Sequence, residues 1–247
     1  ERKRAGILKQ GETAFAKDEP WMKPENGWRR RTVQEQPVYA AMVENMDTNI
    51  GRIMAKLKEA GLYDNTLVIF TSDNGGLSTA EGSPTVNGHL RAGKGWLYEG
   101  GIRVPFIMYW KGKVQPGVSN ALLSQVDFYK TMAKLVNAKV QSNEAADSED
   151  QLNTWLGKAQ NGRTWLFEES YTFSLRKNSW KFITPVEGTV PAWFANKKVE
   201  SGLSNVVQLY NLEQDPSEQK NVAEQYPALV KEFQQQLRII RQPPNKK

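Results

Sequence analysis

The stretch Thr66-Leu67-Val68-Ile69-Phe70-Thr71-Ser72-Asp73-Asn74-Gly75-Gly76 decides the reading of the fold. Its first six residues carry no charge and show no polar alternation. A strand of that kind is suited to burial on both faces, as in a parallel sheet covered by helices. Asp64-Asn65 before it and Ser72 to Gly76 after it are turn formers. With a helical pattern just upstream, the order predicts a buried parallel strand of an α/β sheet. Ligands of such sheets gather at the carboxyl ends of the strands, where Asp73 and Asn74 stand.

Upstream, Val38, Met42, Met46, Ile50, Ile53 and Leu57 recur at steps of three and four and define one helical face. Pro37 suits the first turn and Gly61 the C-terminal cap, so a helix is predicted over 37–60 with its stripe packed in a core. Residues 1–36 are polar, with Pro20, Pro24 and the run Arg29-Arg30-Arg31, and read as a surface segment. The arginine run fits either a solvated face or an anion contact.

Downstream, residues 77–101 form a glycine-rich loop, and Val104 to Trp110 a second apolar strand. Asp127 to Val136 reads as a short helix with Phe128, Met132 and Leu135 on one face. Residues 139–162 are polar, with a short helix near Leu152 to Leu156. From Arg163 the character changes. Thr164 to Glu168, Thr172 to Arg176, Trp180 to Thr184 and Val206 to Tyr210 predict a small antiparallel sheet. A last helix is expected over Pro227 to Arg241, with Leu229, Phe233, Leu237 and Ile240 as its apolar stripe. The expectation is an α/β fold: part of a mixed sheet flanked by helices over 1–138, followed by a smaller α+β subdomain with an antiparallel sheet over 139–247.

Composition narrows the chemistry. The 247 residues include no cysteine and one histidine, His89. Disulfides, thiolate metal sites and a cysteine nucleophile are excluded for this chain, and a multi-histidine metal cage with them. The net charge is +6, from 33 basic and 27 acidic residues. A basic surface attracts anions, but no long Lys/Arg block marks a nucleic-acid arm, and neither a nucleic acid nor a membrane is expected as partner. No apolar run approaches the roughly 20 residues that span a bilayer. No export signal is visible after Glu1-Arg2-Lys3-Arg4.

Two clusters carry candidate chemistry. Asp73 and Asn74 offer a carboxylate and an amide oxygen side by side, hard donors suited to Ca²⁺ or Mg²⁺. A plain Asx-Gly turn reads equally from the same residues. The second cluster runs Asn87-Gly88-His89-Leu90-Arg91-Ala92-Gly93-Lys94-Gly95-Trp96-Leu97-Tyr98-Glu99-Gly100-Gly101-Ile102-Arg103-Val104-Pro105. Lys94, between two glycines, is placed to meet an anion, because glycine lets backbone approach a ligand closely. Gly88 to Lys94 matches part of a P-loop, but Gly95 stands where Ser or Thr must hold Mg²⁺, and no strand precedes it. Trp96 and Tyr98 read as packing residues, and Arg91 as a partner for Glu99 or an acidic strand end. Tyr171 and Trp193 could pack or stack on a sugar.

Together these strings resemble the type I sulfatases. The resemblance rests on Tyr39 through Asp47 to Ile53, Leu62 to Gly76, and Leu90 to Pro105. Leu175 to Ile183 and Leu209-Tyr210-Asn211-Leu212-Glu213-Gln214-Asp215-Pro216-Ser217-Glu218 extend it. It implies the alkaline-phosphatase-like α/β fold, bound Ca²⁺ and hydrolysis of O-sulfate esters of a carbohydrate or aryl alcohol. By the same resemblance, Asp73 and Asn74 are metal ligands and Lys94 contacts the sulfate as a catalytic and substrate-binding residue. His89 faces substrate or lies idle in a loop. A periplasmic or secreted location is the family expectation.

The chain departs from the family in two respects: Asn87-Gly88-His89-Leu90 stands where relatives often carry a proline before the Leu-Arg pair, and the nucleophile pattern is missing. The family's nucleophile is a formylglycine made from Cys or Ser in the pattern C/S-x-P/A-x-R. Ser78-Thr79-Ala80 and Ser119-Asn120-Ala121 begin that pattern, but Gly82 and Leu123 stand where Arg is required. The formylglycine and the remaining metal ligands are therefore expected in an N-terminal half that this chain lacks and needs, and the chain alone is expected to be inactive. Two alternatives stay open. One is a phosphohydrolase or phosphonate hydrolase of the same superfamily. The other is a non-catalytic module that binds sulfated glycans.

Overall fold

The computed structural model describes residues 34, 36–78, 84–141, 143–187 and 203–242. The expected N-terminal surface segment with its arginine run, and Trp193, lie outside the described residues. The chain divides into two compact units, 1–49 with 72–104 and 167–247, and 50–71 with 105–166. Each unit draws on residues from both sides of position 138.

Helix α1, Pro37–Glu59, forms where the periodicity places it. Its end is a Schellman cap: the Gly61 N–H donates to the Lys58 carbonyl at 3.0 Å and the Leu62 N–H to the Leu57 carbonyl at 2.9 Å. Gly61 takes φ +68, which its missing Cβ permits. The expected core packing of its stripe is not found. Val38 and Met42 are each 64% exposed and Ile53 61%, and no described α1 residue is buried. The apolar spacing shaped the helix, but among the described residues only Ile50 and Leu57 of that face are half-buried.

In the second unit, β1, Val68–Thr71, pairs with β2, Phe106–Tyr109. The pairing is antiparallel, with Val68 opposite Tyr109 and Thr71 opposite Phe106. This corrects the expected buried parallel strand. All four β1 residues are half-buried, and Ile107 and Tyr109 of β2 are exposed. An apolar run states that both faces suit burial, not which way its neighbour runs. After a 3₁₀ turn at Gln125–Asp127 comes α3, Phe128–Leu135, then α4, Leu152–Trp155. Phe106, Phe128 and Trp155 pack as a trio with ring centroids 4.8–6.0 Å apart. The Asp127 carboxylate is fully buried and accepts from Nε and NH2 of Arg163 and from the Glu149 N–H at 2.8 Å.

The first unit holds α2, Glu99–Ile102, and a four-stranded sheet in the order β3-β4-β5-β6. These strands are Leu166–Glu169, Phe173–Lys177, Trp180–Ile183 and Gln208–Asn211. β5 runs antiparallel to both β4 and β6, as the spacing predicts. Asn178 makes the tight β4–β5 turn at φ +51, a left-handed conformation that asparagine tolerates. The last helix, α5, Pro227–Arg241, buries Phe233 and Leu237 of its expected stripe. Phe233 stacks on Phe182 at 5.6 Å, with Leu175 and Leu209 fully buried opposite Phe182 in the sheet, while Ile183 is buried with Trp96, Leu97 and Tyr98. Deleting such a ring leaves a cavity and costs about 3–5 kcal/mol.

Candidate active site

The two clusters singled out by sequence are stitched together by backbone. The Gly75 N–H donates to the Gly101 carbonyl at 2.8 Å, and the Lys94 N–H to the Gly76 carbonyl at 3.1 Å. Asn87 is the clip between them. Its amide oxygen accepts the Gly76 N–H at 3.1 Å, and its Nδ2 donates to the carbonyls of Gly76 and Ala92, each at 2.9 Å. Ser78, buried, donates to the same Ala92 carbonyl at 2.8 Å.

This stitching explains the glycines. A Cβ on Gly75 would lie 1.8 Å from the Gly100 carbonyl oxygen, and one on Gly93 2.3 Å from the Gly76 oxygen. A Cβ on Gly101 would lie 2.2 Å from the Trp96 oxygen. Close approach of backbone to backbone is what these positions require. The sequence reading had assigned the loop's glycines to ligand approach.

Asp73 is exposed and Asn74 half-buried. The Asp73 carboxylate accepts the Asn74 N–H at 3.0 Å and pairs with no cation among the described residues. Lys94 is exposed at the tip of the loop and likewise forms no ion pair with a described residue. The structure thus brings Asp73, Asn74 and Lys94 onto one hydrogen-bonded assembly, in which neither the carboxylate nor the ammonium has an ion-pair partner among the described residues. The donor chemistry of Asp73 and Asn74 fits a hard divalent cation. Two donors leave most of the roughly 6–8 oxygens of a Ca²⁺ shell to be supplied. No group of three His, Cys, Asp or Glu side chains among the described residues could hold a metal.

His89 is exposed in the turn closed by the Leu90 N–H and the Asn87 carbonyl, and its own carbonyl accepts from Ser217 Oγ at 2.6 Å. Arg91 is buried. Its guanidinium lies 3.8 Å over the Tyr98 ring and donates to the Glu218 carbonyl. Tyr98, fully buried, donates to Gln208 at 2.7 Å. Burial, with Tyr210 beside it, pushes the Tyr98 hydroxyl far up, so it stays neutral. Trp96 and Tyr98 are packing residues, as read.

Beneath the loop lies an ionic network that the sequence reading missed. Lys181, with no exposure, donates to Glu99 at 3.2 Å and lies 3.4 Å from Glu218, and Arg176 reaches Glu99 at 3.0 Å. Burial pushes the Glu218 carboxyl up to about 7 against the pull of Lys181. Burial also raises Glu99, but Lys181 and Arg176 outweigh it and hold that carboxyl below its usual value. A lysine at the centre of the strand Trp180-Lys181-Phe182-Ile183 was the available signal, since a charge on an inward strand position needs a buried partner. A cavity of about 500 Å³ lined by Phe173, Phe182, Leu237 and Arg238 includes none of the four predicted site residues.

A family model described as sulfatase matches residues 8–138, and one described as N-sulphoglucosamine sulphohydrolase, C-terminal, matches residues 89–243. The chain belongs to the sulfatase family. Among curated relatives, this sulfatase chain is 36% identical over 211 residues to N-acetylgalactosamine-6-O-sulfatase of Bacteroides thetaiotaomicron, covering 81% of the chain and 41% of the relative. A solved structure concerned with the metabolism of multiple glycosaminoglycans by Bacteroides thetaiotaomicron superposes with a TM-score of 0.71 at 37% identity, covering 79% of this sulfatase chain and 42% of that one. Ps i-CgsB, solved in complex with k-i-k-neocarrahexaose, superposes at 0.65 with 28% identity, covering 82% and 42%. The sulfatase chain therefore spans about two fifths of the length of these relatives, and its fold is the expected α/β, alkaline-phosphatase-like one.

Proposed function

We propose that this chain is part of a sulfuric ester hydrolase that removes O-sulfate from a sulfated glycan or aryl sulfate. The observation that carries the reading is the hydrogen bond from the Lys94 N–H to the Gly76 carbonyl. It ties the loop bearing the Lys94 ammonium to the segment bearing Asp73 and Asn74. Sulfate esters develop oxygen charge as the ester bond breaks, and fixed cationic groups aimed at that charge stabilise it. In this reading Lys94 binds a sulfate oxygen and opposes the growing charge. Asp73 and Asn74 would supply two oxygen donors to Ca²⁺, which when bound polarises the sulfate and orients it. The buried glycine seams hold these groups without rearrangement. His89 stands on the same loop, where a side chain would meet the alcohol portion of the substrate.

The formylglycine nucleophile and the remaining metal donors belong, in this proposal, to polypeptide outside the present chain, which alone is inactive. Curated relatives that act on a sulfated sugar support a sulfated glycan as substrate. Periplasmic or secreted location is part of the same proposal.

The test is hydrolysis of p-nitrophenyl sulfate, p-nitrophenyl phosphate and N-acetylgalactosamine 6-sulfate by the native protein that contains this chain. Sulfate should be turned over in preference to phosphate, with activity lost on chelation. Lys94→Ala should lower kcat about 100- to 1000-fold, the effect of removing one charge-stabilising donor. Wild-type rates in that variant, or preference for the phosphate ester, would overturn the reading.

A further inference from the structure

The turn Asp215-Pro216-Ser217-Glu218 is among the strings that carry the family resemblance, yet the chemistry above makes no use of it. It grips the Lys94 loop at three points. Ser217 Oγ donates to the His89 carbonyl at 2.6 Å. The Glu218 carbonyl accepts from the Arg91 guanidinium. Glu218 Oε2 accepts the Glu99 N–H at 2.7 Å, at the first residue of α2. Two of these contacts precede Lys94 in sequence and one follows it, so the turn holds both limbs of the loop that presents the ammonium.

The turn is itself stiff. Its ends are closed by the Glu218 N–H to the Asp215 carbonyl at 3.1 Å and the Lys220 N–H to Asp215 Oδ2 at 2.8 Å. Glu218 adopts φ +51, a conformation a glutamate takes only where its surroundings impose it. Its side chain is fully buried, facing Lys181 from β5, Glu99 from α2, and Arg91 from the loop, and Glu168 of β3 also acts on Lys181. Buried ionic groups of this kind are poor sources of stability, since apolar residues of equal volume serve as well or better. They do fix geometry. A cation that must meet a sulfate oxygen gains from a rigid mount, because misplacement by about 1 Å lowers rates by roughly 100-fold.

We infer that Glu218, with Ser217, is a positioning residue that sets the placement of Lys94 through the Glu99, Arg91 and His89 backbone contacts. The inference rests on Lys94 being the sulfate-binding group.

The experiment uses the native protein carrying Glu218→Ala, Glu218→Gln or Ser217→Ala, with amide hydrogen exchange and steady-state kinetics measured on each. Exchange over residues 90–101 should quicken in Glu218→Ala and, less, in Ser217→Ala, while amides of β4 and β5 stay as protected as in the wild type. kcat for a sulfate ester should fall at least 10-fold in Glu218→Ala with KM changed less than 3-fold. Glu218→Gln, which keeps an acceptor for the Glu99 N–H, should recover most of it. Ser217→Ala, which disturbs no charge, keeps the test decisive if Glu218→Ala fails to fold. Unchanged loop exchange, exchange raised equally through the sheet, or wild-type kcat with a loosened loop would each overturn the positioning role. A wild-type protein that cleaves phosphate esters and not sulfate esters would instead sink the parent reading, and loop exchange would still report whether the turn braces the loop.

Discussion

The ammonium of Lys181 lies 3.2 Å from a carboxylate oxygen of Glu99, and neither side chain is open to solvent. A carboxylate oxygen of Glu218 lies 3.4 Å from the same ammonium. Replacing Lys181 with Met keeps its length and removes its charge, leaving two carboxyl groups buried without their shared cation. Breaking a buried pair in this way costs about 3–5 kcal/mol. Urea unfolding should show that loss in Lys181→Met. A midpoint equal to wild type would mean the network bears no strain.

Stability should also depend on pH in a defined direction. The folded chain holds the Glu218 carboxyl up near 7, against an ordinary value of 4.5. Between those values the native state binds the proton more tightly than the unfolded state, so stability falls as pH rises from about 4.5 through 7 and then levels. Glu168 is pushed up by burial and acts in the same direction. Glu99 is held low and acts the opposite way, losing its contribution only as pH falls through its own depressed value. The urea midpoint should therefore be higher at pH 5.5 than at pH 8, and the difference should shrink in Glu218→Gln.

A second buried pair lies in the other unit. Asp127 accepts from Arg163 and from two backbone N–H groups, those of Ser124 and Glu149. Asp127→Ala strands both backbone donors and leaves the guanidinium with only Glu149 and the Asp147 carbonyl. It should lower stability by about 3–5 kcal/mol, read by thermal or urea unfolding. A loss below 1 kcal/mol would show that the site relaxes around the missing carboxylate.

Two glycines should respond to alanine with opposite signs. At Gly75 the new methyl would sit 1.8 Å from the Gly100 oxygen, so backbone must move, at a cost of about 1–3 kcal/mol or more. At Gly51, within α1, nothing lies within 4 Å of the added carbon. Gly51→Ala should gain roughly 0.5–1 kcal/mol from helix propensity. Unfolding midpoints of the two variants check the pair directly.

What could be read from the sequence follows from how far each signal reaches. The α5 stripe was legible because Phe233 and Leu237 recur at helical spacing and the sheet does cover that face, with Phe233 stacked on Phe182. The β4–β5 hairpin was legible because Asn178 marks its turn. The exposed stripe of α1 was misread as core, because spacing reveals which face is apolar and not whether anything covers it. The direction of β1 was misread for a similar reason, since its partner β2 arrives after a long loop. Asp73, Asn74, His89 and Lys94 were singled out through motif resemblance. The Asn87 clip and the network around Lys181 were not, because Glu99, Lys181 and Glu218 are far apart in sequence and charged residues read first as surface.

The glycine seams also set where this loop can change. A side chain at Gly75, Gly93 or Gly101 would collide with a neighbouring carbonyl, whereas His89 and Lys94 point into open surroundings at the crests. Natural drift in this loop, or a laboratory campaign to alter it, would have to act on those crests while leaving the seams unaltered.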